Sequence, residues 1–210
     1  MEDKYLYFGE LEQNERQFQV PNFIGLALHP RHEREITHNA LDVLPFPDGS
    51  VLKIQSQDVF EHLPFERLPF VFDEIYRVLK LGGTFRLSLP DYRSPLLKRR
   101  SIYDDKGRVI GDLMMGATAL YDNATAEAKV KFTTDGNSHI WFPRYELILD
   151  LIIKSNIRKS NRIKFYQCFL DDENFLSESI PENEMFVMRS VPNDMRSGGK
   201  PISIVVDFVK

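Results

Sequence analysis

Apolar residues recur along the chain in short runs that have the length of β-strands. Most runs end at a glycine, a proline or a polar turn residue, such as Gly9 after the first run and Pro30 after the second. The pattern therefore predicts a chain rich in strands. Seven are expected, at 4–9, 22–29, 34–41, 51–58, 84–90, 162–170 and 201–209.

Two other segments carry apolar residues at the spacing of an amphipathic helix. The first is 63–80, and Gly82 and Gly83 are expected to end it because glycine adopts a left-handed cap at low cost. Lys80 is expected in the last turn, near the carbonyl end of the helix dipole. The second helix is expected at 143–156. Strands that alternate with helices favour an α/β fold with a largely parallel sheet.

Composition and charge disfavour several classes of function. The chain is 42% hydrophobic and carries a formal net charge of −4, which gives no reason to expect a nucleic-acid partner. No window is long and apolar enough for a membrane span. The first residues, MEDKYLYFGE, are acidic where a signal peptide would be basic. We therefore expect a cytoplasmic protein with one domain, 1–210, and no membrane partner.

Cysteine and histidine spacing predicts neither a disulfide nor a metal site. Cys168 is the single cysteine of the chain. His29 and His32 are three residues apart, but the sequence supplies no third ligand at a convincing spacing. The segment RSGGKP, 196–201, is interpreted as a surface loop because a strand rather than a helix follows it.

Residues 44–91, LPFPDGSVLKIQSQDVFEHLPFERLPFVFDEIYRVLKLGGTFRLSLPD, strongly resemble the class I S-adenosylmethionine-dependent methyltransferases. The closest likeness is to small predicted methyltransferases in which LPFPD, EHL, RVLKPGG and VPD follow in this order. The resemblance implies a Rossmann-like sheet of seven strands with the last one antiparallel, and helices on both faces. It also implies an insertion at 92–142 on the substrate side, where the sequence alone predicts at most a hairpin.

The resemblance implies S-adenosylmethionine as the cofactor and methyl transfer to an oxygen or nitrogen atom. We expect a small polar or sugar-like acceptor. In an open α/β sheet, ligands bind beyond the carboxyl ends of the strands. The candidate cofactor-binding residues at those ends are Phe8, Gly9, Glu10, Ala27, Asn39, Ala40, Ser56, Gln57 and Asp58.

The catalytic candidates are His62, Asp91, Tyr92 and His139. Either histidine suits a base or an orienting group for a substrate hydroxyl, since imidazole titrates near neutral pH. A carboxylate or phenol at the end of strand five suits an acceptor-binding role. Each residue also has a structural alternative. Glu61 and His62 would cap the start of the helix, and Pro-Asp is common in turns.

Five positions differ from the family pattern, among them Leu52, which stands where an acid is expected early in strand four. Glu10 and Leu11 occupy positions of the first loop where a small residue and a second glycine are expected. Ala27 replaces the acid that holds the ribose, and Asn39 replaces the acid that contacts the adenine. These differences keep a second hypothesis open, a catalytically inactive methyltransferase-like protein used for binding or assembly. A dinucleotide-dependent oxidoreductase is disfavoured because no GxGxxG loop follows strand one. The sequence leaves a homo-oligomer open.

Overall fold

The computed structural model describes residues 3–122, 124–125, 127–133 and 136–210. Within these residues, eight strands form one mixed sheet and four form two separate hairpins. The strands are β1 (Lys4–Phe8), β2 (Phe23–Ala27), β3 (Glu35–Thr37), β4 (Val51–Gln57), β5 (Leu79–Pro90), β6 (Ser101–Tyr103), β7 (Val109–Asp112), β8 (Ala117–Asp122), β9 (Glu127–Phe132), β10 (Arg162–Phe169), β11 (Phe175–Ser177) and β12 (Ser203–Val209).

The large sheet has the order β11-β10-β12-β5-β4-β1-β2-β3. Every pair from β3 to β5 is parallel, whereas β12 is antiparallel to both β5 and β10. The seven predicted strands are thus present, the last is antiparallel as expected, and β11 adds an eighth at the edge. The register places Phe8 beside Ser56 and Ala27 beside Thr37, so the carboxyl ends of the parallel strands lie along one edge.

One face of the sheet is covered by regular helices. The helices are α1 (Leu68–Val78), α2 (Pro95–Lys98) and α3 (Tyr145–Lys154), and α1 and α3 pack together on this face. Their apolar sides meet alternate residues of the sheet, and the Phe85 and Phe208 rings stack with centroids 5.6 Å apart. Among the described residues, no helix combines the length and apolarity needed to cross a bilayer.

The helix α1 is shorter than the sequence predicts. The expectation that Gly82 and Gly83 end it is wrong, because the helix ends at Val78 and the chain enters β5 at Leu79. The carbonyl oxygen of Val78 accepts a hydrogen bond from the Ser50 N–H at 2.9 Å. The start of β4 therefore supplies the donor that ends this helix.

A lysine does contact the end of α1, but it is Lys210 rather than the predicted Lys80. The Lys210 ammonium donates a hydrogen bond to the Tyr76 carbonyl oxygen at 2.6 Å. Lys80 lies in β5 and pairs with Asp3 at 2.6 Å. The favourable interaction between a cation and the carbonyl end of the helix is thus made by the last residue of the chain.

The second face of the sheet has a different cover. It carries the 3₁₀ turn Arg16–Gln19 and an irregular stretch, residues 181–191, which we call the covering segment. Met185 of this segment packs with Tyr5, Tyr7 and Leu11. Helical turns therefore lie on both faces, but among the described residues only the first face carries complete α-helices.

Polar side chains of the sheet bind the main chain of the covering segment. Gln55 donates to the Phe186 carbonyl oxygen at 2.7 Å. Gln167 donates to the Val191 carbonyl oxygen at 2.7 Å and accepts from the Val191 N–H at 2.9 Å. These bonds satisfy main-chain groups that an irregular segment cannot pair within itself. The polar residues on this face of the strands thus have a structural function.

Arg86 joins the sheet to the covering segment through several contacts. Its side chain is fully buried, and its guanidinium forms a bidentate ion pair with Asp207, with both N–O distances 2.7 Å. The remaining nitrogen, Nη1, donates to the carbonyl oxygens of Pro181 and Met185, each at 2.6 Å. One side chain therefore connects β5, β12 and the covering segment.

We expect Arg86→Met to lower the free energy of unfolding by about 3–5 kcal/mol, since Asp207 would become an unpaired buried charge. Urea unfolding followed by circular dichroism measures the change. Lys154→Met is the matched control, because it breaks the exposed Lys154–Asp150 pair at 2.7 Å and should change the same quantity by less than about 0.5 kcal/mol. Equal losses in the two variants would contradict this account.

Candidate functional site

A cavity of about 360 Å³ opens at the carboxyl ends of β1, β2 and β3. This volume lies in the range of small-molecule sites. Val59 and Leu63 contribute apolar walls, and Gly136 and Asn137 of the insertion form part of the rim. Six predicted cofactor-binding residues line it: Phe8, Gly9, Glu10, Ala27, Asn39 and Ala40.

A larger cavity of about 760 Å³ lies elsewhere, with Lys4, Asn22 and Ser50 in its wall. These residues belong to the amino-terminal ends of β1, β2 and β4. Ligands of parallel α/β sheets bind at the opposite, carboxyl ends. The smaller cavity is therefore the better candidate for the functional site.

The loop after β1 shows what the two unusual residues of the sequence do. Gly9 turns the chain with φ at +104°, in the left-handed region that favours glycine. The Leu11 side chain is fully buried in the apolar cluster of the second face, and its N–H donates to Glu35 at 2.6 Å. Glu10 lies in the cavity wall and pairs with Arg31 at 2.7 Å. Of the two substituted positions, only Glu10 reaches the cavity.

Glu35 is a buried residue that the sequence analysis did not identify. One carboxylate oxygen accepts the Leu11 N–H, and the other accepts the Arg31 N–H at 2.6 Å. The same side chain thus fixes the loops after β1 and β2. No periodicity or spacing marks this role, because it depends on strands that only the fold makes neighbours.

His38 was also missed, although it lies in the cavity wall and has a polar atom without a partner among the described residues. This atom, Nε2, is buried. Burial lowers the pKa of His38, so the ring is neutral near physiological pH. Asn39, by contrast, uses its side-chain oxygen to accept the Leu41 N–H at 3.0 Å. Of these two residues of the cavity wall, His38 is the one whose side chain has a polar atom without a partner among the described residues.

The three predicted residues at the end of β4 lie outside the cavity wall. Ser56 is fully buried. Gln57 donates to the Tyr7 hydroxyl at 3.2 Å and belongs to the second face. Asp58 adopts φ of +50° and pairs with Arg189 of the covering segment at 3.2 Å. A non-glycine residue with positive φ at a strand end is a strained feature of the kind that accumulates at functional sites.

Hydrogen bonds attach the insertion to the turn after β4. The His62 ring donates from Nδ1 to the Ser138 carbonyl oxygen at 3.0 Å. The Ile140 N–H donates to the Glu61 carbonyl oxygen at 3.0 Å, and the Trp141 indole donates to Phe60 at 2.8 Å. These bonds place residue 139 directly against residues 61 and 62.

Glu61, His62 and His139 form what we call the buried cluster. The His139 Nε2 lies 3.5 Å from a Glu61 carboxylate oxygen, and the two imidazole centroids are 4.8 Å apart. Glu61 is fully buried and His139 is 1% exposed, whereas His62 is partly exposed. Both Glu61 carboxylate oxygens lack a hydrogen-bond partner among the described residues.

Burial shifts the pKa of each member of the cluster. It raises the pKa of Glu61 well above the usual range of a carboxyl group, and the nearby Asp58 charge adds to the effect. It lowers the pKa of His139 to about 3 and also lowers that of His62. Both imidazoles are therefore neutral at physiological pH and carry one lone pair each.

Tyr92 and Asp112 lie behind the cluster. The Tyr92 hydroxyl donates to Asp112 at 2.5 Å and is 2.6 Å from the His139 Nδ1. Arg100 pairs with the same Asp112 carboxylate at 2.8 Å. Tyr92, predicted to bind the methyl acceptor, is 2% exposed and instead orients His139.

Asp91, a catalytic candidate of the sequence, binds main-chain groups in the structure. It is fully buried, and its two oxygens accept the Phe169 N–H at 2.7 Å and the Arg93 N–H at 3.0 Å. These bonds tie the end of β5 to the end of β10.

As the pH rises from about 4 to about 6, the free energy of unfolding of the wild-type protein should fall relative to that of the Asp91→Asn variant. Burial raises the pKa of Asp91 to about 6, with a small addition from Glu146 that Arg93 and the two N–H donors oppose. Because the folded state binds this proton more tightly than the unfolded chain, the contribution is present below pH 4 and is lost by about pH 6. The shift corresponds to about 3 kcal/mol.

Urea unfolding of both proteins at several pH values measures this difference. The amide that Asp91→Asn introduces does not titrate. The difference in free energy of unfolding between the two proteins should therefore change only between about pH 4 and about pH 6, where Asp91 titrates. A difference that stays constant from pH 4 to pH 7 would refute the assignment.

Residues 19–87 match the family model described as Methyltransferase domain. No curated protein matches the sequence. Solved structures do resemble the chain. A SAM-dependent methyltransferase from Thermotoga maritima, described as a possible histamine N-methyltransferase, is 17% identical with a TM-score of 0.54, over 100% of this chain and 83% of its own.

Two further structures have the same fold. A SAM-dependent methyltransferase from Archaeoglobus fulgidus is 12% identical with a TM-score of 0.57, over 99% of this chain and 86% of its own. Another from Methanosarcina mazei is 12% identical with a TM-score of 0.50, over 100% of this chain and 93% of its own. The predicted resemblance to class I S-adenosylmethionine-dependent methyltransferases is therefore confirmed, by the family match of residues 19–87 and by the fold of the whole chain.

Proposed function

We propose that the protein is an S-adenosylmethionine-dependent methyltransferase that acts on an oxygen or nitrogen atom of a small polar or sugar-like acceptor. The observation that carries the proposal is the cavity at the carboxyl ends of β1, β2 and β3, which contains six of the nine predicted cofactor-binding residues. The family match over residues 19–87 supports it independently.

The cavity residues suit the parts of this cofactor. Ala27, Ala40, Val59 and Leu63 offer apolar walls for a flat base. The His38 Nε2 would bond a ribose hydroxyl, a function that the acid absent at position 27 would otherwise serve. When bound, the cofactor supplies a methyl group on a positively charged sulfur. The protein would contribute alignment of the two reactants and exclusion of water.

The acceptor would approach from the side of the buried cluster. Val59 and Asn137 line the cavity, and their chain neighbours Asp58 and Ser138 adjoin the cluster. His62, which is neutral and partly exposed, would orient an acceptor hydroxyl or amine on this side of the cavity. This polar wall favours an acceptor with hydrogen-bond donors over an apolar one.

A catalytically inactive binding protein is the second candidate. It is favoured by the Leu11 N–H, a main-chain donor of the first loop that is already bound to Glu35 at 2.6 Å. Such a donor is not free to bind a ligand. The two candidates differ in whether the cavity binds the cofactor at all.

Calorimetric titration with S-adenosylmethionine and S-adenosylhomocysteine should give micromolar dissociation constants. Ala40→Phe, which fills the cavity, should weaken both at least about tenfold. Asn22→Phe, in the wall of the other cavity, is the matched control and should leave both unchanged. Melting temperatures of the two variants verify that they fold. Absence of binding up to about 1 mM in the wild-type protein would reject the methyltransferase proposal and favour the binding protein.

A further inference from the structure

We propose that Glu61, His62 and His139 bind a divalent transition-metal ion. One potential ligand atom from each residue lies within 4.8 Å of the other two. The three residues come from the turn after β4 and from the insertion, and hydrogen bonds between these segments hold them together. The inference concerns metal binding by the chain itself and does not depend on the proposed function.

The hydrogen bonds around His139 leave a lone pair directed at Glu61. The single proton of the Tyr92 hydroxyl is donated to Asp112, so this hydroxyl accepts from the His139 Nδ1–H at 2.6 Å. A neutral imidazole carries only one proton. Nε2 is therefore unprotonated, and it faces the Glu61 carboxylate at 3.5 Å. Two electron-pair donors at this distance repel each other unless a cation or a proton lies between them.

The second histidine is arranged in the same way. The Ser138 carbonyl oxygen has no proton, so the His62 Nδ1 must donate to it at 3.0 Å. This leaves the lone pair of His62 on Nε2. Histidine ligands of metals characteristically donate their other N–H to a carbonyl or a polar side chain, which fixes the ring and its tautomer. Both rings of the buried cluster have such a partner.

Glu61 supplies a buried carboxyl group that, within the described part of the chain, no cation contacts directly. It is fully buried, and neither carboxylate oxygen has a hydrogen-bond partner there. The two nearby arginines are each paired with another acid, Arg100 with Asp112 at 2.8 Å and Arg189 with Asp58 at 3.2 Å. A buried carboxylate without partners is strongly unfavourable. A bound cation would remove that cost.

The distances are compatible with coordination after a small adjustment. Nitrogen and oxygen ligands lie about 2.0–2.2 Å from zinc, which places neighbouring ligands of a tetrahedral site about 3.4 Å apart. The Glu61–His139 distance of 3.5 Å already matches. The ligand atoms of the cluster all lie within 4.8 Å of one another, so small shifts of the Glu61 and His139 side chains toward His62 would complete the site, with the His62–Ser138 hydrogen bond kept.

The donor set indicates the class of metal. Two imidazoles with one carboxylate suit zinc, iron, cobalt or manganese, whereas calcium and magnesium prefer oxygen ligands alone. The remaining coordination positions would be open to water or to a ligand.

The test is equilibrium dialysis of the purified full-length protein against Zn²⁺ or Co²⁺, with metal content measured by mass spectrometry. We expect one ion per chain, a visible absorption band with Co²⁺, and a higher melting temperature with Zn²⁺. Glu61→Gln and His62→Gln should each weaken binding by more than the roughly 10- to 100-fold that loss of an outer partner costs. Glu66→Gln, an exposed glutamate on the same stretch, is the matched control and should bind like the wild type.

Tyr92→Phe tests the positioning role of the hydroxyl behind His139. It should weaken Zn²⁺ binding roughly 10-fold and shift the Co²⁺ band, because His139 loses its orienting partner. Melting temperatures measured without metal verify that every variant folds. The proposal is overturned if the wild-type protein binds neither ion, or if Glu61→Gln and His62→Gln bind both as tightly as the wild type.

Discussion

The position of the covering segment depends on the buried Arg86 guanidinium. Its bidentate pair with Asp207 and its bonds to Pro181 and Met185 place an irregular stretch of chain on a sheet face where α-helices would otherwise supply the cover. An irregular segment has main-chain groups that need partners, and the polar side chains of the sheet provide them. The polar residues of these strands are thus as necessary to the fold as the apolar residues opposite.

The covering segment also contacts the turn after β4, next to the candidate site. Arg189 lies in the covering segment and pairs with Asp58 at the end of β4. Arg189 is thus engaged with Asp58, which has a φ of +50°, and Glu61 is a buried acid without a cation in contact among the described residues. The cover of the second face therefore sets the electrostatics of a cluster that lies at the edge of the sheet.

Much of the fold could be predicted from the local pattern of apolar residues. The parts that could not be predicted depend on contacts between distant segments. Runs of apolar residues predicted all seven strands, and the helical stripe predicted α1 and α3. The end of α1 was not predictable because the donor that ends it comes from Ser50, outside the helix. The covering segment was not predictable either. Five of its eleven residues are apolar but form no regular element, and its main chain is held by side chains such as Gln55 and Arg86 that are far away in sequence.

The candidate site, too, could be predicted from the sequence only in part. Strand ends can be read from sequence, and six of the nine residues predicted for the cofactor do line the cavity. Partners that only the fold brings together were missed, among them His38 in the cavity wall and Glu35 beneath the first loop. Histidine spacing gave no metal set because the relevant histidines lie on separate segments. The packing of the insertion against the turn after β4 brings them together.

The cavity and the buried cluster are best understood as two adjoining parts of one site. The cavity has apolar walls together with His38, whose Nε2 has no partner among the described residues, and this lining suits a flat ligand. The cluster beside it has three potential ligand atoms, one of them from a buried carboxyl group, and suits a cation or a polar group. A cation held there would also lower the pKa of a hydroxyl that binds to it, as metal ions do for bound water. An acceptor hydroxyl would then become a better nucleophile without a protonated histidine, a species that burial disfavours at both His62 and His139.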